Sequence, residues 1–260
     1  MNISDLESAV WNANISRFKR EAPIYDQIHP NIFNFIEQQR VQLSLRKASY
    51  LTKSKSRIAL DFGCGTGNIT AKLLYLGWDV VSTDTSEAML AVLHRKLPEA
   101  YDSGRLTLCC LKQKQLPFPA KYFGMITAYS VLHHLYDYMF TVREFSRILD
   151  DGGILYIDHE HSEEFWRAQN DRLYKIFMRT SRLSNSIYQR ISGLKTVPFT
   201  VADYTLTDYR TKERTRVNWR MINSFLNSNG FETQQKTYLT HCSIVPNPIY
   251  LACKSHFKNM

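Results

Sequence analysis

The sequence has few cysteines and no apolar segment long enough to cross a membrane. Its five cysteines, at positions 64, 109, 110, 242 and 253, are odd in number and include no C-x-x-C pair. This pattern argues against a disulfide framework and against a structural zinc site. No run approaches the roughly 20 apolar residues of a membrane span, and the first residues lack the basic and then apolar order of a secretion signal. These absences predict a cytoplasmic protein without a membrane span.

Internal repeats and low-complexity linkers are also missing. Of the 260 residues, 44% are hydrophobic and 22% are charged, which is the composition of a globular protein. The net charge of +9 comes mostly from residues 161–220, which contain 12 basic and 6 acidic residues. Such a segment attracts an anionic substrate, nucleic acid or an anionic membrane, but a solvated helix face explains it more simply.

Apolar segments of strand length and helix length alternate through the middle of the chain. We expect strands at 57–62, 79–84, 105–111, 122–129 and 154–158, and helices at 32–51, 68–76, 87–97, 142–149 and 219–229. Strands that alternate with helices predict a parallel sheet covered on both faces. Two further strands, 231–239 and 249–254, are close enough to pair antiparallel. The expected fold is α/β: a Rossmann-like, seven-stranded, mostly parallel sheet with an antiparallel C-terminal hairpin.

Residues 161–218 interrupt this pattern. Most of this stretch has no sustained period and is rich in Ser, Thr, Tyr and Arg. We therefore expect residues 161–218 to be an insertion. The α/β core then comprises 53–160 and 219–260, with an N-terminal helical cover at 1–52.

A glycine-rich loop follows the first predicted strand. Gly63, Gly65 and Gly67 stand where a strand ends and a helix begins, so the backbone can approach a ligand closely. Dinucleotide folds use G-x-G-x-x-G, whereas the third glycine here comes one residue early. Asp61 precedes the loop, and its carboxylate would repel a pyrophosphate but attract an ammonium group. Asp84 ends the second strand, where such folds present a carboxylate to ribose hydroxyls. An amino acid joined to a ribose describes S-adenosylmethionine.

Five segments in register resemble the motifs of class I S-adenosylmethionine-dependent methyltransferases. They are LDFGCGTGNIT at 60–70, STDTSEAML at 82–90, LPF at 116–118, VLHHL at 131–135 and ILDDGG at 148–153. The resemblance covers about residues 57–160 and is greatest to the branch that holds quinone-biosynthesis and natural-product methyltransferases. It implies S-adenosylmethionine as cofactor, S-adenosylhomocysteine as product and an acceptor-binding helical cap at 161–218. It also implies cofactor contacts by Tyr25, Asp61, Gly63, Cys64, Gly65, Gly67, Asp84, Thr85, Met89, Gln113 and Ser130.

Two positions depart from the family pattern. Relatives carry an Asp-Ala pair before the LPF motif, with the Asp on the adenine amino group, but this chain has Lys112 and Gln113. Lysine cannot accept that hydrogen bond, whereas glutamine can. The Asp that usually follows the phenylalanine of the fourth strand is replaced by Gly124.

Candidate catalytic side chains follow the fourth strand. His133, His134 and Tyr129 are placed to assist deprotonation of an acceptor. Methyl transfer from a sulfonium depends chiefly on alignment, so a scaffold role for these histidines stays open. His159 and His161 alternate with acidic residues, but two histidines are too few for a catalytic zinc site, and we expect no metal.

The function expected from the sequence is methyl transfer from S-adenosylmethionine to an O, N or C atom of a small, partly apolar metabolite. Natural products and quinone-like molecules are the expected acceptors, with an anionic or aromatic group. Two alternatives stay open. One is an RNA methyltransferase that uses the basic cap, although no RNA-binding element is recognisable and nucleic acid is disfavoured. The other is a protein that binds S-adenosylmethionine without turnover. The sequence does not determine the oligomeric state.

Overall fold

The structure is a computed structural model that describes residues 3–160, 206–211, 216–239 and 246–254. The predicted cap at 161–218 lies outside the described residues except for two short pieces, 206–211 and 216–218. His161 also lies outside them. Within the part of the chain that is described, no helix is long and apolar enough to cross a membrane.

The N-terminal segment is helical. Its helices are α1 (Ile3–Glu21), α2 (Tyr25–Ile28), α3 (Pro30–Phe33) and α4 (Phe35–Leu51). The helix expected from position 32 begins at Phe35 because the Asn34 side chain caps it, accepting a hydrogen bond from the backbone N–H of Glu37 at 3.0 Å. Sequence periodicity did not predict α1, since its buried face includes the polar Asn14 and Arg17.

Strands and helices alternate through the core as expected, with small shifts at their ends. The strands are β1 (Ile58–Phe62), β2 (Asp79–Asp84), β3 (Leu106–Cys110), β4 (Phe123–Tyr129), β5 (Leu149–Asp158), β6 (Phe231–Leu239) and β7 (Pro246–Lys254). The helices are α5 (Asn68–Tyr75), α6 (Glu87–Lys96), α7 (Pro98–Asp102), α8 (Tyr138–Ile148) and α9 (Trp219–Ser228). Helix α8 begins four residues before its predicted start, because Asp137 caps its N-terminus.

The strands form one sheet in the order β3-β2-β1-β4-β5-β7-β6. Strands β1 to β5 are parallel, β7 runs antiparallel to β5, and β6 runs antiparallel to β7. The Rossmann-like α/β class is therefore confirmed. Because the connections run from β1 outward to β2 and β3 on one side, and from β4 to β5 on the other, the direction of winding switches between β1 and β4. Ligands of such sheets bind at the carboxyl ends of the strands at this point.

Apolar side chains cover both faces of the sheet. Phe145 and Trp219 pack on one face from α8 and α9, and Leu45, Leu73 and Leu93 pack on the other from α4, α5 and α6. Residues 151–153 form an irregularity within β5, where the pairing with β4 shifts between Phe123 and Met125.

Gly124 lies where two backbone segments approach closely. An added Cβ atom there would lie 2.1 Å from the carbonyl oxygen of Ser56. The departure from the family's aspartate at this position therefore reflects packing, because no side chain fits.

Candidate active site

A large cavity opens at the carboxyl ends of β1, β2 and β4. Its volume is about 1270 Å³ including the open mouth. Most of the residues expected to bind the cofactor line this one cavity. They are Tyr25, Asp61, Gly63, Cys64, Gly65, Asp84, Thr85, Met89, Gln113 and Ser130.

The glycine loop is fixed by hydrogen bonds to the end of β2. The N–H groups of Gly63 and Cys64 both donate to the carbonyl of Thr83, at 2.8 and 3.0 Å. An added Cβ atom on Gly65, whose φ is +52°, would meet no atom within 4 Å. This loop therefore presents bare backbone to the cavity, as close approach of a ligand requires.

Asp84 connects the glycine loop to helix α6. Its Oδ2 accepts from the N–H of Gly65 at 3.0 Å, and its Oδ1 accepts from the N–H of Ser86 at 2.8 Å. Burial raises the pKa of this carboxyl, and the backbone hydrogen bonds oppose the rise. Each carboxylate oxygen has a second lone pair, so Asp84 can accept from two neighbouring hydroxyl groups while it holds the loop.

Asp61 lies deeper in the cavity and is almost fully buried. The hydroxyl of Thr70 donates to its Oδ2 at 2.6 Å, and the hydroxyl of Thr127 donates to its Oδ1 at 3.1 Å. Burial raises the pKa of Asp61 to about 6, with a further contribution from Asp84. None of the described hydrogen bonds of this carboxylate comes from a cationic side chain. The ammonium group of a ligand would supply the missing positive charge.

One expected cofactor position, Gly67, and the departure at Lys112 both lie outside the cavity wall. Gly67 is not part of the cavity wall; a Cβ atom there would lie 2.2 Å from Cδ1 of Leu93, so this glycine allows α5 to pack on α6. Lys112 is exposed and paired with Glu87, whereas the neighbouring Gln113 lines the cavity. The departure at Lys112 therefore leaves the cavity unobstructed.

The N-terminal helices form a wall of the cavity that sequence reasoning did not assign. They contribute Glu7, Val10, Trp11, Asn14, Phe18, Ile32 and Phe33. Asp26 joins this wall to the glycine loop, since the hydroxyl of Thr66 donates to its Oδ1 at 2.6 Å, and Lys96 of α6 pairs with the same carboxylate. Only tertiary structure reveals this contact, because the partners are 40 or more residues apart.

His133 is held by a buried carboxylate that the sequence did not connect to it. Glu160 accepts hydrogen bonds from the N–H groups of Val131 and Leu132, both at 2.7 Å, and its Oε2 lies 2.8 Å from Nδ1 of His133. Burial lowers the pKa of His133, but the charge and hydrogen bond of Glu160, together with the charge of Asp208, outweigh burial and raise the pKa. His133 does not line the large cavity; it faces a second cavity beside it.

His134 lines both cavities. Its Nδ1 lies 2.6 Å from the carbonyl oxygen of Thr207, so this nitrogen carries the proton. Burial and the neighbouring His133 lower the pKa of His134. Asp208 lies 3.3 Å from the same nitrogen and also pairs with Arg17 at 3.0 Å. Sequence reasoning missed Arg17 and Asp208 because they are 191 residues apart.

His133, His134 and Asp208 have potential metal-ligand atoms within 4.8 Å of one another. The guanidinium of Arg17 already lies on Asp208, and its positive charge opposes a cation there. We therefore assign no metal to this cluster.

The ring of Tyr129 also lies on the wall of the large cavity, but its hydroxyl points elsewhere. The hydroxyl donates to Oε1 of Glu37 at 2.7 Å. Glu37 is paired with Arg40, which also contacts Asp158 at 2.8 Å. Tyr129 thus joins the sheet to helix α4, and its catalytic role stays a prediction.

Comparison with known proteins agrees with this geometry. The matching family model is described as a methyltransferase domain and matches residues 60–157. A ubiquinone/menaquinone biosynthesis C-methyltransferase, UbiE, from Shewanella sediminis is 33% identical over 121 residues, which are 45% of this chain and 46% of the relative. The chain thus matches about half the length of such curated relatives.

Solved structures with the same fold have low sequence identity. Magnesium protoporphyrin IX methyltransferase from Synechocystis, solved with S-adenosylhomocysteine bound, has a TM-score of 0.52 at 19% identity and covers 85% of this chain and 88% of that one. The [4+2]-cyclase SpnF has a TM-score of 0.56 at 16% identity, with 83% and 80% covered. These likenesses establish the fold, and the cyclase shows that the fold alone does not determine the reaction.

The fold, the glycine loop and the family match together define a methyltransferase domain. Its fold is that of the class I methyltransferases, the class whose cofactor is S-adenosylmethionine.

Proposed function

We propose that the whole chain transfers a methyl group from S-adenosylmethionine to an O, N or C atom of a small, partly apolar acceptor. The observation that carries this proposal is the convergence of ten expected cofactor residues on one cavity, beside the apolar side chains of Trp11, Phe18 and Phe33. These apolar side chains suit a partly apolar acceptor that lies next to the cofactor.

Individual side chains have distinct roles in this proposal. Asp84 accepts hydrogen bonds from the ribose hydroxyls, Asp61 pairs with the ammonium group, and Met89 packs on the adenine. Gln113 takes the place of the family's aspartate near the adenine. Tyr25 closes the cavity from the N-terminal cover, where its ring contacts His29 at 4.2 Å and Phe33 at 6.1 Å between centroids.

The acceptor class follows from the relatives and from the cavity wall. The Shewanella relative is named for C-methylation in ubiquinone and menaquinone biosynthesis, and we propose a quinone-like or natural-product acceptor for this chain. We assign residues 161–218 the role of an acceptor-binding cap. The adjacent free thiols of Cys109 and Cys110 are consistent with a reducing, cytoplasmic location.

The alternative of binding without turnover loses its main support, since Lys112 faces away from the cavity. The RNA methyltransferase alternative depends on the basic residues at 161–220, which lie mostly outside the described residues. Steeply salt-dependent RNA binding would favour it over a small acceptor.

Titration calorimetry tests the proposal. We expect micromolar binding of S-adenosylmethionine and S-adenosylhomocysteine and no binding of NADH. Replacing Asp84 by Ala removes charge-assisted hydrogen bonds and lowers affinity by about 10–150-fold. Asp79→Asn is the matched control, because Asp79 begins the same strand and is exposed. Unchanged affinity in Asp84→Ala would contradict the assigned role, and cofactor binding with no methyl transfer to any extract would contradict the enzymatic function.

A further inference from the structure

Helix α4 exposes a row of large apolar side chains along its outer face. Ile36, Leu43 and Tyr50 are 59%, 63% and 89% exposed, while the opposite face of the helix packs in the core. They follow one another at heptad spacing, and an α-helix drifts by about 20° per heptad, so the three side chains lie within a stripe roughly 40° wide. Single exposed apolar residues are ordinary, but an aligned row with a polar rim is typical of an interaction surface.

Each end of the row has a further exposed apolar side chain. Phe35 is 76% exposed at the start of the helix, and Leu51 is 42% exposed at its end. The 17 residues of α4 form a helix about 25 Å long, and the row follows most of that length. It begins close to the cofactor cavity, because Phe33, two residues before Phe35, is part of the cavity wall.

Exposed positive charge accompanies the row. Arg46 and Lys47 are exposed on the same outer face, and because successive residues are about 100° apart on a helix, they flank the row on its two sides. Lys53 and Lys55 are exposed just beyond the end of α4. No ion pair of these four side chains occurs among the described residues. Their charges are therefore available to an external partner.

Negative charge is scarce in the same stretch of chain. Between the start of α4 and the start of β1, Glu37 is the single acidic residue, and it is buried. Two carboxylates from β5 lie near the end of the stretch, but Asp150 accepts from the hydroxyl of Ser54 and Asp151 pairs with Lys121. The outer face of α4 is therefore both apolar and positively charged.

Apolar side chains in a row with cations on both sides suit the surface of an anionic lipid bilayer. A helix of this kind lies in the plane of the interface, where its apolar side chains contact the acyl chains and its cations contact the headgroups. A second copy of this chain is a poorer occupant, because it would bring the same cations against each other and supply no exposed carboxylate from α4 to pair with them. Charge complementarity therefore favours lipid.

We propose that the outer face of α4 is a docking surface for an anionic lipid bilayer, on which the protein binds reversibly through Ile36, Leu43 and Tyr50 and the cations beside them. This inference goes beyond the proposed methyl transfer and does not depend on it. Because α4 begins next to Phe33, docking brings one wall of the cofactor cavity close to the lipid.

Sedimentation of the full chain with lipid vesicles tests the proposal. We expect vesicles of phosphatidylcholine and phosphatidylglycerol to bind the protein at least about ten times more strongly than vesicles of phosphatidylcholine alone. Binding should weaken as the salt concentration rises, since salt screens exposed charges. No binding to either kind of vesicle, or equal binding to both, would overturn the proposal.

Two double variants locate the contact on α4. Each basic residue near an anionic surface contributes about fivefold to binding, so Arg46→Gln with Lys47→Gln should weaken binding about 25-fold. Leu43→Ser with Tyr50→Ser removes apolar side chains from the row and should weaken binding at least about tenfold. All four side chains are exposed, so the variants should fold, and urea unfolding checks that they do.

The control is Arg95→Gln with Arg143→Gln, which removes the same charge from exposed positions on α6 and α8. It should bind the vesicles as the wild type does. An equal loss in this control would show that only the net charge matters and would contradict the proposal. Wild-type binding by the folded α4 variants would assign the lipid contact to another part of the chain and would contradict it too.

Analytical ultracentrifugation tests the other occupant of the face, a second copy of the chain. We expect Leu43→Ser with Tyr50→Ser to leave the oligomeric state of the protein unchanged. Self-association that this variant abolishes, in a protein that binds no vesicles, would make the face an interface between copies and the lipid assignment wrong.

Discussion

Asp61→Asn should change the stability of the protein and its affinity for the cofactor in opposite directions. The carboxyl of Asp61 is buried and has a pKa of about 6 instead of 3.8. A raised pKa in the folded state favours folding at low pH, and this contribution is lost as the pH rises from about 4 to about 6. The difference corresponds to about 3 kcal/mol. Asparagine has the shape of the neutral carboxyl, and Thr70 and Thr127 can still hydrogen-bond to it.

We therefore expect Asp61→Asn without ligand to be more stable than the wild type by up to about 3 kcal/mol at pH 7.5, with a smaller difference toward pH 4.5. The ligand should respond in the opposite way. Without the carboxylate, the ammonium group of S-adenosylhomocysteine loses a charge-assisted hydrogen bond, and affinity at pH 7.5 should fall about 10–150-fold.

Urea unfolding and titration calorimetry from pH 5 to 7.5 measure the two effects. Wild-type affinity for S-adenosylhomocysteine should fall about tenfold between pH 7.5 and pH 5, since Asp61 must lose its proton to bind. The variant should show no such dependence. Adenosine, which lacks the amino acid, is the matched ligand control and should bind both proteins equally. A variant that binds S-adenosylhomocysteine as tightly as the wild type at pH 7.5 would refute the assignment of Asp61.

Three further substitutions test individual contacts. Tyr129→Phe removes the hydrogen bond to the buried Glu37, and we expect a loss of about 1–3 kcal/mol in urea unfolding; lost methyl transfer at unchanged stability would instead make the hydroxyl catalytic. Gly124→Ala places a Cβ atom 2.1 Å from a backbone oxygen and should lower the free energy of unfolding by about 1–3 kcal/mol or more. Gly104→Ala is the control: its Cβ atom meets no atom within 4 Å, and we expect a loss of about 1 kcal/mol. Gln113→Ala should weaken cofactor binding several-fold while Lys112→Ala does not, and the reverse order would place the lysine at the adenine.

Local patterns in the sequence determine the framework of this protein. The alternation of strands and helices predicts the parallel α/β order, because the spacing of apolar residues in each segment indicates which of its faces are buried. Glycines at 63, 65 and 67 and carboxylates at 61 and 84 predict the ligand class, since the roles proposed for them depend on nearby backbone geometry. Nine of the ten cavity residues expected from the motifs lie within residues 61–130, and Tyr25 lies in the N-terminal cover.

Contacts between distant segments depend on tertiary structure. Arg17 pairs with Asp208, and Glu160 supports His133, across 191 and 27 residues respectively. No local period encodes these pairs, because helix α1 buries polar side chains whose partners belong to distant segments of the chain. The closeness of Gly124 to Ser56 and the outward direction of Lys112 are likewise results of packing. The sequence thus determined the cofactor and the fold class. Only the tertiary structure placed a second, histidine-lined cavity beside the first, because the wall of that cavity combines side chains from segments that meet only in the folded chain.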